Sequence, residues 1–235
     1  MTTIAMPVFK PFEYSTDLVD VLASKIAADL QRAIDARGRA SLVVSGGSTP
    51  LPLFRRLSNI GIEWAQVFIT LADERWLPAD DPESNERLVR QHLLQGKAAS
   101  AHFSGLVSSD STPEAGIALV AEKLSHFPKP FDVIVLGMGN DGHTASLFPC
   151  SEQLTLAMAT EQLLVAVHPT TAPHARLSLS LSALLNARQI YLHIAGESKQ
   201  QVLEQALVHT DTTQMPIRAV LNQHKTPVDV YWSQK

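Results

Sequence analysis

Phe131-Asp132-Val133-Ile134-Val135-Leu136-Gly137-Met138-Gly139-Asn140-Asp141-Gly142-His143 decides the fold. A near-continuous apolar run that stops on a glycine-rich turn reads as a strand buried on both faces. The same arrangement stands earlier in the chain: Ser41 to Ser45 (SLVVS) breaks at Gly46-Gly47, after which Thr49 suits a helix cap and Pro50 the first helical position. Val67 to Leu71, Leu163 to Val167, Gln189 to Ala195 and Val228 to Trp232 supply further strand candidates. Helical spacing fills the intervals. From Asp17 to Ala36, Leu18, Leu22, Ile26, Leu30 and Ile34 recur every fourth residue, with Ser15 or Thr16 as the N-cap and Gly38 as the stop. Ser84 to Leu94 and Glu197 to His209 read as two more helices, and another starts near Pro50. Strands alternating with helices predict an α/β fold with an open, mostly parallel, Rossmann-like sheet and helices on both faces.

Composition narrows the function. At 235 residues, 45% hydrophobic and 18% charged, the chain has the makeup of a folded protein with a substantial core, not of a disordered one. Neither internal repeats nor a long linker interrupt it, which predicts a single domain over residues 1–235. Nineteen Lys and Arg against 23 Asp and Glu leave a net charge of −4, which argues against a nucleic-acid binder working through a basic face. Met1 to Lys10 lacks a long apolar run and no stretch approaches the ~20 apolar residues a bilayer requires. The one cysteine, Cys150, cannot form an internal disulfide and reads as a packed thiol. A cytoplasmic protein with no membrane partner is expected.

Ligands of open α/β sheets sit at the carboxyl ends of the strands, so the residues that follow each strand matter most. Gly46 and Gly47 let backbone N–H groups approach an anion, and Ser48 and Thr49 can add hydroxyl donors. A phosphate fits this turn, as does an ordinary capped turn. The Gly-Lys-Ser/Thr ending of a triphosphate loop is missing. Gly137, Gly139 and Gly142 satisfy G-x-G-x-x-G, but Pro149 leaves little room for a crossover helix and Glu161 precedes an apolar run where the dinucleotide pattern needs it to end one. What this loop offers is Asp141 two residues from His143: an imidazole that can take a proton from water and a carboxylate that can fix its tautomer. The remaining histidines, His193 among them, carry no comparable context and are expected to be structural or solvated. Arg75, Arg176 and Lys199 lie after strand ends or at a helix start, where cations could converge on an anion. Neither H-E-x-x-H, a cysteine pair nor G-x-S-x-G occurs, so a zinc site and a serine nucleophile are not expected.

Taken together these residues resemble the 6-phosphogluconolactonase family. The likeness rests on Val44-Ser45-Gly46-Gly47-Ser48-Thr49-Pro50, Asp73-Glu74-Arg75, Ser84-Asn85 and above all Gly137 to Pro149. It continues through Arg176 to Ser180, Ala195 to Lys199 and Met215 to Leu221, spanning nearly the whole chain. The Gly-Gly-Ser-Thr-Pro turn is shared with related glucosamine-6-phosphate isomerases and deaminases; the block around His143 is the specific one. Arg-Leu-Ser-Leu-Ser at 176–180 replaces the expected Arg-Ile-Thr-Leu-Thr, and Cys150 stands where small residues are common. The resemblance implies hydrolysis of 6-phospho-D-glucono-1,5-lactone without metal or other cofactor. His143 would activate water and Asp141 support it, while Gly46, Gly47, Ser48, Thr49, Arg75, Arg176 and Lys199 would hold or surround the sugar-phosphate lactone. A monomer or small homo-oligomer is expected. The rival readings are an isomerase or deaminase of an amino-sugar phosphate and a non-catalytic sugar-phosphate sensor.

Overall fold

A computed structural model describes residues 7–235; residues 1–6, part of the Met1 to Lys10 stretch considered above, lie outside the described residues. Among the described residues, ten strands form two sheets. The larger has seven strands, all parallel: β1 (Val8–Phe12), β2 (Ala40–Val44), β3 (Val67–Leu71), β5 (His102–Phe103), β6 (Val133–Leu136), β9 (Ile190–Ala195) and β10 (Val228–Ser233), in the order β1-β10-β9-β6-β2-β3-β5. The smaller is an antiparallel ribbon of β4 (Asp73–Arg75), β8 (Arg176–Leu179) and β7 (Leu164–Val167), with β8 in the middle.

The central strands β2, β6 and β9 are almost wholly buried, as their unbroken apolar runs require. Helix α1 (Ser15–Arg37) buries Leu18, Leu22, Ile26 and Leu30 completely, each worth about 1.5–3 kcal/mol relative to an exposed side chain. It ends where Gly38 turns left-handed at φ 74° and returns its N–H to the Ile34 carbonyl at 2.7 Å. Its first helical residue is Ser15, with Tyr14 at the cap, so the expected Ser15 or Thr16 cap lies one or two residues too late. Helix α2 (Leu51–Leu57) likewise begins after Pro50, which leaves Thr49 in the preceding turn instead of at the cap. Helix α3 (Asn85–His92) is shorter than the expected Ser84 to Leu94, with Ser84 at its cap, where the side chain accepts from the Arg87 N–H. Helices α4 (Pro113–Lys123), α5 (Leu154–Ala159) and α6 (Leu181–Leu185) surround the ribbon and its connections, and α7 (Glu197–Val208) leads through α8 (Ile217–Leu221) into the last strand.

The strand order places the site. From β1 to β2 to β3 the chain moves across the sheet in one direction, and from β6 to β9 to β10 in the other. Right-handed crossovers then put α1 and α2 on one face and α7 on the opposite face. The two directions part between the adjacent strands β2 and β6, the switch point at which open α/β sheets form a crevice. One expectation needs correcting. Leu163 to Val167, read as a strand of the main sheet, is β7 of the antiparallel ribbon; among the described residues it pairs only with β8. A short buried apolar run has the same appearance in either sheet.

Candidate active site

A cavity of about 350 Å³ opens at this switch point. It is lined by Ser45 to Pro50 after β2, by Asp73, Arg75 and Arg176 from the ribbon, by Asn85, by Val135 to Gly139 and His143 to Ala145 along and after β6, and by His193 to Ala195 and Lys199 at the end of β9. Of the expected site residues, Gly46, Gly47, Ser48, Thr49, Arg75, His143, Arg176 and Lys199 all border this one space. Asp141 does not line it and lies directly behind His143.

The loop after β6 is built around that pair. The Asp141 carboxylate takes the His143 backbone N–H at 3.1 Å and the ring Nδ1 at 2.6 Å. Partial burial opposes ionisation of Asp141, but the hydrogen bond and charge of His143 outweigh it and hold the carboxyl below its ordinary value. With Nδ1 engaged, Nε2 is the ring atom left for other chemistry. Phe148 stacks on the imidazole with ring centroids 4.1 Å apart, and the Arg176 guanidinium sits 5.1 Å from the same phenyl centroid. The glycine pattern serves this geometry. A Cβ on Gly139 would stand 2.1 Å from His143 Nδ1 and 2.6 Å from Asp141 Oδ1, and Gly142 occupies a left-handed turn at φ 76°. Gly137 meets no such crowding. The segment after Gly142 has no helix before Leu154, which removes the dinucleotide-loop reading.

The turn after β2 exposes main chain instead. Among the described residues, the N–H groups of Gly46, Gly47, Ser48 and Thr49 donate to no backbone carbonyl, so four adjacent donors remain available to an anion. A Cβ on Gly46 would lie 1.8 Å from Asn85 Oδ1. Asn85 is itself fixed by donating its amide to the Asp73 carbonyl at 2.9 Å, and it accepts from Arg75 at 3.3 Å. Glu74, between Asp73 and Arg75, is buried. Its carboxylate accepts the N–H groups of Asn85 and Glu86 at 2.9 and 2.7 Å and the Ser84 hydroxyl at 3.1 Å, which ties the ribbon to the start of α3.

The charge distribution points to an anion. Arg75 and Arg176 are directly paired across β4 and β8, an arrangement of like charges that is unfavourable unless something negative lies between or beside them. Asp73 stands 3.6 Å from Arg176 and offsets part of this. Lys199 donates to Asn140 Oδ1 at 2.6 Å; burial lowers its pKa and nearby Asp141 opposes that shift. Five buried side-chain polar atoms lack a partner among the described residues, and four of them, Ser45 Oγ, Arg75 Nε, Arg176 Nε and His193 Nδ1, belong to residues that line this cavity. Buried polar groups are nearly always satisfied, and four of these five exceptions cluster in the wall of this cavity. Among the described residues, no group of three or more His, Cys, Asp or Glu side chains is arranged to hold a metal ion.

Sequence reasoning did not single out Asp73, Asn85 or His193. Asp73 and Asn85 lay inside recognised motifs but point inward as partners of other groups. His193, expected to be structural or solvated, is buried and stands on the cavity wall.

Comparison with known proteins agrees with this geometry. The family profile described as "Glucosamine-6-phosphate isomerases/6-phosphogluconolactonase" matches residues 13–232. A 6-phosphogluconolactonase of Rhizobium meliloti is 42% identical over 224 residues, covering 94% of this chain and 97% of its own. A solved 6-phosphogluconolactonase structure from Shewanella baltica is 62% identical with a TM-score of 0.96, covering 98% of this chain and 99% of that one. A monomeric glucosamine-6-phosphate deaminase, 17% identical with a TM-score of 0.78 over 96% of this chain and 97% of its own, shares the fold. A matched profile that runs through both glycine turns and both sheets, together with relatives aligned over almost their full length, establishes that this chain belongs to the glucosamine-6-phosphate isomerase/6-phosphogluconolactonase family.

Proposed function

We propose that this chain is a 6-phosphogluconolactonase that hydrolyses 6-phospho-D-glucono-1,5-lactone to 6-phosphogluconate, with His143 as general base. The observation that carries the reading is that His143, hydrogen-bonded to Asp141, and the candidate anion-binding groups open into one cavity. The full-length relatives named as 6-phosphogluconolactonases support it.

In this reading the turn of Gly46, Gly47, Ser48 and Thr49, with Arg75, Arg176 and Lys199 around it, holds the phosphorylated lactone. Binding energy from the phosphate, remote from the reacting carbon, orients C1 toward His143. Asp141 accepts a hydrogen bond from Nδ1–H and so leaves Nε2 free to take a proton from water as the oxygen attacks C1. The tetrahedral oxyanion is stabilised by a nearby cation or N–H. When the bond from C1 to the ring oxygen breaks, the proton held by His143 passes to that oxygen, which becomes the C5 hydroxyl. A δ-lactone is an activated ester, and a positioned base worth about 10²–10⁴-fold in rate suits it.

Ring opening and proton shuttling by an isomerase or deaminase call for further acid or base groups after the histidine. Here Thr144 donates to the Gly137 carbonyl at 2.8 Å and Ser146 to Asp73, and neither Ala145 nor Leu147 can ionise. Both hydroxyls are occupied in holding the loop. The reading treats residues 1–235 as one catalytic domain, supported by a hydrophobic core that is continuous from α1 to β10. Cytoplasmic placement is supported by the single cysteine, and among the described residues no helix is long and apolar enough to cross a membrane.

The test is a pH-stat or coupled assay with freshly generated 6-phosphogluconolactone, corrected for spontaneous hydrolysis, with glucosamine 6-phosphate run in parallel. Turnover of the lactone alone is expected. Release of ammonia from glucosamine 6-phosphate, or no acceleration of lactone hydrolysis, would overturn the assignment.

A further inference from the structure

We propose that His193 is a substrate-binding residue that reads a hydroxyl of the sugar ring, a contact separate from the phosphate cradle and from the His143 base. The inference rests on the lactonase reading and adds a specificity determinant to it.

His193 lies near the end of β9, where the parallel register places Leu192 beside Leu136, the last residue of β6. Its own position therefore falls level with Gly137, where the catalytic loop leaves the sheet. On β9 it shares a face with Tyr191, whose hydroxyl donates to Asp29 of α1. The tyrosine is thus satisfied by the helix that covers it, whereas His193, two residues further on, meets the cavity. The residue is only 4% exposed, and Nδ1 is sealed without a hydrogen-bond partner among the described residues, which leaves Nε2 as the ring nitrogen that can face the cavity.

A buried polar atom left unpaired costs stability, and an apolar residue on this strand would avoid that cost, as Leu192 and Ile194 do on either side. Burial pulls the imidazole down to about 4, so it is neutral at pH 7 and Nε2 either donates or accepts according to the tautomer. A hydroxyl, which both donates and accepts, can meet Nε2 in either tautomer, whereas a phosphate, which needs donors only, can meet it in just one. The cations that suit the phosphate are Arg75, Arg176 and Lys199, and the polyhydroxylated ring is the part of a phosphorylated sugar lactone that they leave unread.

The experiment compares wild type, His193→Leu and His193→Asn. For each it measures thermal stability, kcat and KM on the lactone, and the dissociation constant for 6-phosphogluconate and for inorganic phosphate. Loss of one hydrogen bond to a buried hydroxyl should raise KM and the 6-phosphogluconate dissociation constant of His193→Leu about 5- to 100-fold. Phosphate binding and melting temperature should hold or improve, and His193→Asn should recover part of the loss. A lactone lacking the 2-hydroxyl, or one lacking another single hydroxyl, should identify the contacted group as the analogue on which wild type and His193→Leu perform alike. Should His193→Leu not fold, His193→Asn and His193→Gln carry the same comparison. Unchanged KM and product affinity in a folded His193→Leu protein, or equal weakening of phosphate and 6-phosphogluconate, would overturn the proposal. Failure of wild type to hydrolyse the lactone would instead overturn the lactonase reading beneath it.

Discussion

At the end of β2 the glycines of the Gly46–Thr49 turn expose main chain, whereas at the end of β6 those of residues 137–142 make room for side chains. Gly46 is compressed against Asn85 and Gly47 turns left-handed at φ 97°, and four backbone donors have no backbone acceptor among the described residues. Gly139 is compressed against the His143–Asp141 pair itself. Two turns of similar composition thus present different groups to the cavity: the first offers backbone N–H donors, and the second positions an imidazole. The difference teaches that a glycine motif is diagnosed by what fills the space it vacates. G-x-G-x-x-G here has the spelling of a dinucleotide loop and the contents of a histidine–carboxylate pair.

Substitutions can break this division of labour. The largest effect is expected from His143→Ala, which should lower kcat about 10²–10⁴-fold while 6-phosphogluconate still binds, as isothermal calorimetry would report. Gly139→Ala should follow. Its methyl cannot coexist with the ring where it stands, and a displacement on the order of 1 Å can cost 10²-fold, so kcat should fall with KM little changed. Lys199→Ala removes a cation from the cavity and should act on the other parameter, raising KM about 10- to 100-fold. Gly46→Ala should resemble Lys199→Ala, not Gly139→Ala, because it pushes on Asn85 and the cradle. If steady-state kinetics showed both glycine substitutions changing the same constant, the two turns would not be separable.

The smallest effect is in stability against acid. Burial tends to raise Asp141, yet its bond to His143 holds it below the ordinary 3.8. A depressed carboxyl contributes stability that is present above its unfolded pKa and lost as pH falls through the folded one. His143→Ala removes the cause, so its acid unfolding, followed by circular dichroism, should begin at a slightly higher pH than that of wild type. Asp141 is partly exposed, which keeps this shift small.

Much of the site was legible because its chemistry is written next to strand ends. His143, Asp141 and the Gly46 turn could be found from residue types alone, and the strands that carry them are apolar enough to be seen. The antiparallel ribbon was less visible. Asp73-Glu74-Arg75 has no strand-like composition and is extended because Arg176–Leu179 pairs with it, a long-range cause with no local sign. Leu164–Val167 had the right element type and the wrong sheet, since burial by α4 and α5 makes a ribbon strand as apolar as a central one. The edge strands β1 and β5 were missed for the opposite reason: both are largely exposed and one has two residues. His193 was passed over because β9 is buried on both faces, so no alternation marks which side chain reaches the cavity.

The central claim is that one sugar phosphate touches both turns at once, and a crystal structure of the complex with 6-phosphogluconate tests it most directly. The phosphate should lie on the Gly46–Thr49 turn among Arg75, Arg176 and Lys199, with the C1 carboxylate within about 3 Å of His143 Nε2. A complex with the phosphate bound elsewhere, or with C1 turned away from His143 while the phosphate occupies the turn, would contradict the account.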